Sequence, residues 1–536
     1  MPTPIEEPLQ LELPPALAEL LATVPELSQA YVVGGGVRDA VLGQVAKDLD
    51  LEVFGTDYDQ LGRALARFGA TDLVGRAFGV IRLTLASGEV VDFSLPRRDS
   101  KVGAGHRGFA VAPDPTLSPR EAASRRDFTV NALMYDPRRR VVADHFGGLA
   151  DLRAGVLRHV GPAFSEDPLR VLRGMQFAAR FELRAAPETV ALCKSIASSH
   201  RELPLERVRE EWFKWASLAR RPSLGLAFLR DTGWLEHYPE LSAMVGVEQD
   251  AEWHPEGDVW VHTLHALDAL VTLPEWHAAE PARRLVWTFA VLLHDAGKPS
   301  CTRREPREGR VRIVSPGHDV AGGPLAAAFL ERIGAPQGIA PRVLPLVAEH
   351  MAHLQAATDR SVRRLSVRLK PETVQSLAVV ITADHSGRPP RPAGAPDALV
   401  SLLQRAEKLA VSAAAPRHVL SGWHLIEAGL EEGPELGQIV RAAYEAQLDG
   451  TFAQLADALR WLYAHERWGE RMRQAAARAR AALPAGFTEL AGPAWQARWD
   501  ETALALSAPQ GPAYRRESER TLVRLAVLAF PGRPAA

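Results

Sequence analysis

The segment YVVGGGVRDAVLGQVAKDLDLEV (residues 31–53) decides the fold of the N-terminal part of this chain. A β-prone apolar run reaches three consecutive glycines, a short helical pattern follows, and a second β-prone run begins near Asp50. A glycine turn between strand and helix allows phosphate to approach backbone N–H groups at the helix N-terminus, where Gly35 and Arg38 lie. A simple tight turn would have the same sequence, so this segment alone leaves both interpretations open.

Aspartates close to this turn predict a metal site. Alternate side chains of a strand share a face, so we expect Asp48 and Asp50 to point the same way. Two carboxylates so close raise each other's pKa unless a cation neutralises them, which indicates a divalent metal. Asp92 lies in a second alternating run, VVDFSL (90–95), and can face the pair across a sheet. Three carboxylates predict a clamp for two metal ions, with a metal-free surface pair as the alternative.

The spacing of apolar residues predicts an α+β protein. Between Tyr31 and Asp144, β-prone runs separated by Gly and charged residues predict a mixed sheet with a few helices. After the loop FGGLADL (146–152), apolar residues recur at helical spacing, which predicts an all-α remainder. A length of 536 residues indicates several domains, and the Pro-rich stretch 387–396 is the predicted linker.

Composition excludes several classes of protein. A net charge of −2 argues against coating nucleic acid along its length, so any RNA site must be local. Cys193 and Cys301 match no CxxC pattern, which argues against a disulfide framework and a structural zinc site. The N-terminus lacks the pattern of an export signal, and no run of 18 apolar residues occurs. We therefore predict a cytoplasmic protein without membrane contact.

Three motifs occur together in one order: GGGVRD with KDLD, RRDFTVNALMYD (125–136) and EDPLRVLRGMQFAARF (166–181). This set resembles the bacterial class II tRNA nucleotidyltransferases, the CCA-adding enzymes and their poly(A) polymerase relatives. The resemblance implies template-independent addition of CCA, from CTP and ATP, to the 3′ end of tRNA. It also implies that Asp48 and Asp50 bind Mg2+, with Asp92 as the third carboxylate.

The resemblance also implies a set of nucleotide-binding residues. They are Gly35, Arg38, Arg125, Arg126, Asp127, Asn131, Asp167 and Arg170. Asp127 would recognise the ribose, because a carboxylate accepts a hydrogen bond from a 2′-hydroxyl. Asp167 and Arg170 are three positions apart, which predicts one helix face that offers an acceptor and donors to a base edge. A helix cap with an intrahelical ion pair is the alternative for these two residues.

Histidines and aspartates farther along predict a second metal site. In order, the residues are His262, His294, Asp295 and Asp384, with His318 and His350 as further candidates. This order resembles the HD superfamily, and the last two histidines match its extended versions. Imidazole and carboxylate together suit a divalent metal such as Mg2+, Mn2+, Ni2+ or Co2+. The resemblance implies hydrolysis of phosphate esters, whereas a purely structural His-Asp pair is the alternative.

The resemblance assigns a role to each predicted domain. The domains are a nucleotidyltransferase head (1–145), a helical neck (146–240), an HD domain (241–390) and a C-terminal helical tRNA-binding region (391–536). Asp144, Gly147, Gly148 and Asp151 match the hinge between head and neck. The tryptophans Trp461, Trp468, Trp495 and Trp499 are predicted to be helix core rather than RNA contacts.

Several alternatives stay open at this point. Within the class they are an A-adding or CC-adding partial enzyme and a poly(A) polymerase. An RNA-binding or regulatory protein with an inactive transferase is the alternative from another class. The oligomeric state is not predicted.

Overall fold

The computed structural model describes residues 3–45, 49–75, 79–85, 87–101, 109–307, 309–508 and 511–530. The predicted metal ligand Asp48 lies outside these residues. The chain divides into two compact units, the first made of Met1–Ala348 with Val379–Gly394 and the second of Glu349–Ala378 with Ala395–Ala536. One division falls inside the predicted linker 387–396, and the four-domain organisation stays a prediction.

The strands in the described part of the chain lie in the first unit. They are β1 (Ile5–Pro8), β2 (Ala30–Val33), β3 (Asp50–Val53), β4 (Gly69–Gly75), β5 (Val80–Leu85), β6 (Val90–Ser94), β7 (Arg97–Lys101), β8 (Phe109–Pro113), β9 (Met134–Asp136), β10 (Val141–Asp144), β11 (Val156–Leu157), β12 (Arg184–Ala185), β13 (Arg303–Arg307) and β14 (Arg310–Val314). One sheet has the order β1-β10-β9-β2-β3-β6-β5-β4. Its neighbours are antiparallel except β3 and β6, which are parallel. This mixed sheet confirms the predicted α+β class.

Helices occur between the strands of the first unit and make up most of the described chain after residue 146. They are α1 (Pro15–Thr23), α2 (Gly35–Val41), α3 (Tyr58–Leu65), α4 (Pro119–Ser124), α5 (Gly148–Ala154), α6 (Leu169–Phe181), α7 (Pro187–Ser195), α8 (Leu205–Leu218), α9 (Pro222–Asp231), α10 (Pro239–Ser242), α11 (Val259–Leu270), α12 (Pro274–Ala278), α13 (Pro281–Leu293), α14 (Lys298–Cys301), α15 (His318–Arg332), α16 (Ala340–Glu349), α17 (Asp359–Arg368), α18 (Val374–Ser386), α19 (Asp397–Lys408), α20 (Gly422–Glu427), α21 (Pro434–Leu448), α22 (Leu455–Ala464), α23 (Gly469–Ala479), α24 (Ala485–Thr488), α25 (Gly492–Ser507) and α26 (Pro512–Ala529). Among the described residues, no helix is both long enough and apolar enough to cross a membrane.

Alternation within the strands explains which face of the sheet carries chemistry. Ile81 and Leu83 on β5 and Phe93 on β6 are buried in the core of the first unit. Side chains at intervening positions point to the opposite face, which places Arg82 and Asp92 there. Burial of the apolar face of the sheet therefore fixes the register of Arg82 and Asp92 on its other face.

Three features of the backbone differ from the sequence-based prediction. The run FTVNALMYD (128–136), one of the β-prone runs between Tyr31 and Asp144, is not one strand, because Thr129–Asn131 forms a 3-10 turn and only Met134–Asp136 pairs with the sheet. The chain after residue 146 is not all-α, because β11 pairs with β12 and β13 forms a hairpin with β14. That hairpin is rich in Arg and lacks the apolar alternation that predicts strands.

The second unit has a helical core that explains its tryptophans. Trp468 and Trp499 are buried among residues such as Leu459, Leu462 and Leu525. Trp461 and Trp495 pack against the same cluster and are partly buried. The prediction of helix core at these four positions is confirmed.

A single carboxylate organises the turn between β10 and α5. Asp144 Oδ1 accepts hydrogen bonds from the backbone N–H groups of Phe146, Gly147 and Gly148 at 3.0, 2.9 and 3.0 Å. Asp144 Oδ2 accepts a fourth from Leu149 at 2.9 Å. Gly147 has a φ of +81°, and a Cβ on Gly148 would lie 2.2 Å from the Thr129 carbonyl oxygen. Backbone conformation and close packing therefore require this glycine pair, and its role as a hinge stays a prediction.

We expect Asp144→Ala to destabilise the first unit by about 2–3 kcal/mol, because two buried and two half-buried N–H groups lose their carboxylate acceptor. Differential scanning calorimetry checks this as a lower melting temperature. The matched control is Asp136→Ala, whose carboxylate accepts from only two exposed N–H groups, those of Arg138 and Arg139. Equal shifts for the two variants would contradict the assigned role of Asp144.

Candidate active site

A cleft of about 580 Å3 opens in the first unit beside the sheet. Its charged and amide-bearing lining residues are Arg38, Asp50, Glu52, Asp92, Arg97, Arg125, Arg126, Asp127, Asn131, Asp167, Arg170, Arg173 and Arg207. Gly34 and Gly35 also line it. The described residues predicted to bind metal or nucleotide at the transferase site are therefore brought together in one cavity.

The carboxylates of the cleft are placed by strand register. Asp50 on β3 lies directly opposite Asp92 on the parallel strand β6. Asp50 is exposed at the first position of its strand, and Asp92 is half-buried. The predicted approach of these two residues across the sheet is confirmed. Oxygen ligands of this kind fit a hard divalent cation such as Mg2+.

Gly34 brings the start of α2 close to this acidic face. It has a φ of +76°, and a Cβ there would lie 2.9 Å from Arg126 Nη1 and 4.0 Å from Asp50 Oδ2. A larger residue would be strained in backbone conformation and would crowd Arg126. The absence of a side chain at Gly34 therefore leaves room for Arg126 beside the start of α2, where backbone N–H groups can meet a phosphate.

A buried network fixes the cations that face the cleft. Arg38 Nη1 donates to Asn131 Oδ1 at 2.6 Å, and Asn131 Nδ2 donates to Asp127 Oδ1 at 2.9 Å. Asp127 Oδ2 accepts from Arg173 Nε at 2.7 Å. Burial opposes the charged form of both members of the Asp127–Arg173 pair, but their attraction outweighs it. The pKa of Asp127 accordingly lies below its ordinary value, and the pKa of Arg173 lies above.

The structure corrects the predicted geometry of Asp167 and Arg170. Asp167 does not lie on the helix, because α6 begins at Leu169 and Asp167 is extended with φ −116° and ψ 97°. The residue before a proline is disfavoured in the helical region, and Pro168 follows Asp167. Asp167 Oδ2 pairs with Arg207 Nη2 at 3.1 Å, so the intrahelical ion pair of the alternative is wrong, whereas Asp167 Oδ1 does accept a hydrogen bond from the Leu169 N–H at the start of α6, at 3.1 Å.

Arg170 is held by backbone oxygens instead. Its Nη1 donates to the Ala163 carbonyl at 2.9 Å and its Nη2 donates to the Arg125 carbonyl at 2.7 Å. Arg125 Nη1 in turn donates to the Arg97 carbonyl at 2.8 Å. Both arginines line the cleft from fixed positions.

Sequence reasoning missed several residues of this cleft. Arg173 lies three positions after Arg170 in the same motif, and Glu52 lies two positions after Asp50 on the same strand, so spacing could have identified both. Glu52 is buried, with Oε2 3.6 Å from Arg126 Nη2. Arg207 carries no such signal, because only the packing of α8 brings it to Asp167.

The first unit also brings together the predicted HD residues. His262 Nε2 lies 3.0 Å from Asp384 Oδ1 and 3.3 Å from His294 Nε2. His294 Nε2 lies 3.3 Å from Asp295 Oδ2. One ligand atom each from His262, His294 and Asp384 lies within 4.8 Å of the others, and all three residues are buried. This donor set fits a divalent metal of intermediate softness.

Neighbouring groups orient the two imidazoles. His262 Nδ1 lies 2.7 Å from Glu256 Oε1, and His294 Nδ1 lies 2.7 Å from the Val291 carbonyl oxygen. Each ring can donate from Nδ1 to these acceptors, which leaves Nε2 as the atom available for metal. The Glu256 contact was missed by sequence reasoning, although the residue lies six positions before His262 on the sequence.

Two cations flank the carboxylates of this cluster. Arg388 Nη2 contacts Asp384 Oδ1 at 2.6 Å, and Lys298 Nζ contacts Asp295 Oδ2 at 2.7 Å. Burial alone would raise the pKa of Asp384, but the charge of Arg388 and the hydrogen bond with His262 hold it well below its ordinary value. Burial opposes the charged form of Asp295 as well, but the neighbouring His294 ring and the Lys298 ammonium hold the pKa of Asp295 well below its ordinary value.

The two further histidine candidates have different positions. His318 Nε2 lies 3.4 Å from Asp295 Oδ1 within the first unit. His350 is buried and belongs to the second unit. A role in metal binding stays a prediction for both.

A glycine turn beside an acidic sheet face and a fixed set of arginines defines a nucleotidyltransferase. Residues 30–158 match the family model of the poly A polymerase head domain. The multifunctional CCA protein of Xanthomonas campestris pv. campestris is 41% identical over 370 residues, which cover 67% of this chain and 85% of that protein. The chain belongs to this family and is a class II tRNA nucleotidyltransferase of the CCA-adding type. Nucleotidyl transfer in the family depends on divalent metal.

Solved structures agree with this fold. A CCA-adding enzyme with CTP has a TM-score of 0.55 and 19% identity, and the match covers 84% of this chain and 96% of that one. The Thermotoga maritima CCA-adding enzyme complexed with tRNA has a TM-score of 0.55 and 18% identity, with 86% and 100% covered. Identity at this level supports the fold alone.

Proposed function

We propose that the protein adds C and A residues to the 3′ end of tRNA in the cleft beside the sheet of the first unit, with CTP and ATP as substrates. The observation that carries this proposal is that Asp50 lies opposite Asp92 in the strand register and that arginines line the same cleft. The excess of guanidinium groups in the cleft suits a triphosphate, whose charge the arginines can neutralise. The carboxylates line the same cleft as these arginines and can hold the metal.

Asp50 and Asp92 would hold divalent metal together with Asp48, which the sequence places two residues before Asp50. Bound metal supplies activation of the attacking 3′-hydroxyl and stabilisation of the leaving pyrophosphate. The backbone at Gly34 and Gly35 and the side chain of Arg38 would hold the triphosphate. Arg38 is well suited to this because Asp39 Oδ1 and Asn131 Oδ1 fix its guanidinium.

Asp127 acts in this proposal chiefly by holding other residues. Its two carboxylate oxygens accept from Asn131, Arg173 and the backbone N–H of Phe128. It therefore sets the position of Arg173 and, through Asn131, of Arg38. Asp127 would then recognise the ribose as part of its hydrogen-bonded network with Asn131 and Arg173, and not as an isolated carboxylate.

Asp167 and Arg170 offer an acceptor and donors for a base edge. Both line the cleft, and each is anchored by one set of contacts: Asp167 to Arg207, and Arg170 to two backbone oxygens. Anchoring reduces the entropy lost when a base is bound. We infer that this pair selects C and A by its hydrogen-bonding groups.

We expect Arg170→Ala to lower the selectivity for CTP and ATP over UTP about tenfold, because donors to the base edge are lost while the carboxylates are untouched. Single-nucleotide incorporation with each triphosphate measures this. Arg184→Ala, an exposed arginine of β12, is the matched control and should leave selectivity unchanged. Unchanged selectivity with lower turnover would make Arg170 structural.

The extent of addition is tested with transcripts that end before CCA, after C and after CC. Each transcript is incubated with CTP alone, ATP alone and both nucleotides. We expect complete CCA from every transcript. Addition of only A, of only C, or of long A tails would instead identify an A-adding enzyme, a CC-adding enzyme or a poly(A) polymerase.

We also propose a metal-dependent phosphohydrolase site at the HD residues. The supporting observation is the convergence of His262, His294 and Asp384 on one point, with Glu256 behind His262. Lys298 and Arg388 add positive charge beside the carboxylates, which favours an anionic phosphate ester. The site takes Mg2+, Mn2+, Ni2+ or Co2+ in this proposal, and a 2′,3′-cyclic phosphate is the first substrate to test.

A further inference from the structure

Arg82 lies next to the carboxylates of the proposed transferase metal site. Strand register places Asp50 opposite Asp92 and Asp92 opposite Arg82. The three residues therefore form one row across β3, β6 and β5. Because β6 lies between the other two strands, Arg82 reaches Asp92 from the side away from Asp50.

The contact between Arg82 and Asp92 uses both carboxylate oxygens. Arg82 Nε donates to Asp92 Oδ1 at 2.8 Å, and Arg82 Nη2 donates to Asp92 Oδ2 at 3.0 Å. This two-point geometry gives a guanidinium its strongest hold on a carboxylate. A guanidinium stays charged in proteins throughout the pH range in which they are folded, so Arg82 carries a full positive charge.

The positive charge of Arg82, in hydrogen-bond contact with Asp92, disfavours the binding of a divalent cation to Asp92. The guanidinium lowers the negative potential at Asp92 and repels a metal ion bound between Asp92 and Asp50. The side chains of Arg82 and Asp92 are 58% and 32% exposed, so solvent and salt reduce the effect without removing it. Without metal, the same charge offsets the repulsion between Asp50 and Asp92.

We propose that Arg82 is a counter-ion of Asp92 that weakens the binding of free divalent metal in the transferase site. This inference rests on the proposed role of Asp50 and Asp92 as metal ligands. Arg82 is a positioning residue here, since it acts through Asp92 and lies on the far side of it. The consequence is a site that fills best when the metal arrives with a nucleoside triphosphate, whose own charge adds to that of the carboxylates.

The test measures binding of Mn2+ to the full chain without nucleotide, by electron paramagnetic resonance of the free ion. We expect Arg82→Gln to bind Mn2+ about three- to fivefold more tightly at low salt. The difference should shrink at about 0.5 M salt, where screening acts within a few ångströms. Arg82→Lys, which keeps the charge, should stay near wild type.

Arg98→Gln is the matched control. Arg98 is 62% exposed and pairs with Asp114 at 2.6 Å, and it lies outside the carboxylate row. Its substitution should leave Mn2+ affinity unchanged. An effect equal to that of Arg82→Gln would show general electrostatics and overturn the inference, as would unchanged or weaker Mn2+ binding in Arg82→Gln.

Asp50→Asn, made alone and together with Arg82→Gln, separates this inference from the proposed function. The part of Mn2+ binding that Asp50→Asn removes belongs to the transferase site, and the HD cluster accounts for the rest. If Asp50→Asn removes no binding, the proposed metal site itself is wrong. If it removes binding and Arg82→Gln matches wild type, the metal site stands and only the counter-ion role is wrong.

Discussion

Asp50→Asn is expected to lower incorporation of both CTP and ATP at least about 100-fold, equivalent to ~2.7 kcal/mol of activation free energy. The substitution keeps the size of the side chain and removes one of the charges that hold divalent metal against Asp92. Loss of both nucleotides together is expected, because one metal site serves every addition step. The measurement is single-turnover extension of a tRNA transcript with labelled nucleotide.

Binding of tRNA to this variant should stay near wild type, since Asp50 belongs to the first unit, whereas residues 395–536 of the predicted tRNA-binding region belong to the second. Asp59→Asn, an exposed carboxylate on α3 of the same unit, is the matched control and should be fully active. A residual rate of a tenth of wild type or more would rule out Asp50 as a metal ligand.

The second large effect is expected at the HD cluster. His294→Ala combined with Asp295→Ala should abolish divalent-dependent hydrolysis of a 2′,3′-cyclic nucleotide and leave CCA addition within a few-fold of wild type. The two sites have separate carboxylates, so neither needs the other for metal chemistry. Hydrolysis is measured with Mg2+, Mn2+, Ni2+ and Co2+ in turn.

This variant needs a control for folding, because His294 and Asp295 are buried and their loss leaves neighbouring polar groups without partners. His265→Ala, an exposed histidine on α11 close to His262, should retain both activities. Glu256→Gln gives a milder test, since it keeps the shape beside His262 Nδ1 and weakens the acceptor that Glu256 offers to His262 and His254. If wild type hydrolyses neither a cyclic nucleotide nor a model phosphodiester with any of the metals, the HD cluster is structural.

Strand alternation predicted the placement of Asp50 and Asp92 in the transferase site. The period of two residues put Asp50 and Asp92 on the polar face, because the intervening Leu51, Val91 and Phe93 are apolar and buried. The fold class followed from the same patterns, since strand signals are concentrated before residue 145.

The cationic half could be predicted only in part. Asn131, Asp127 and Arg173 form their network where a 3-10 turn at Thr129–Asn131 lies beside α6, and that turn has no periodic signature, although the helix itself does. Asp167 was placed on the wrong side of a helix boundary, because the proline after it favours an extended conformation. β1 escaped detection because IEEP has no apolar alternation, and its pairing with β10 joins distant parts of the head sequence.

The position of β1 has a consequence for self-association. It is the terminal strand on one side of the large sheet, where unpaired backbone groups could recruit a strand from another molecule. Pro8 cannot donate a hydrogen bond there, and Glu6 pairs with Arg139, which places charge along the border. A chain shortened to begin at residue 9 would lack β1, and β10 would become the exposed edge strand of the sheet. Such a protein should keep its catalytic groups yet gain a concentration-dependent tendency to aggregate.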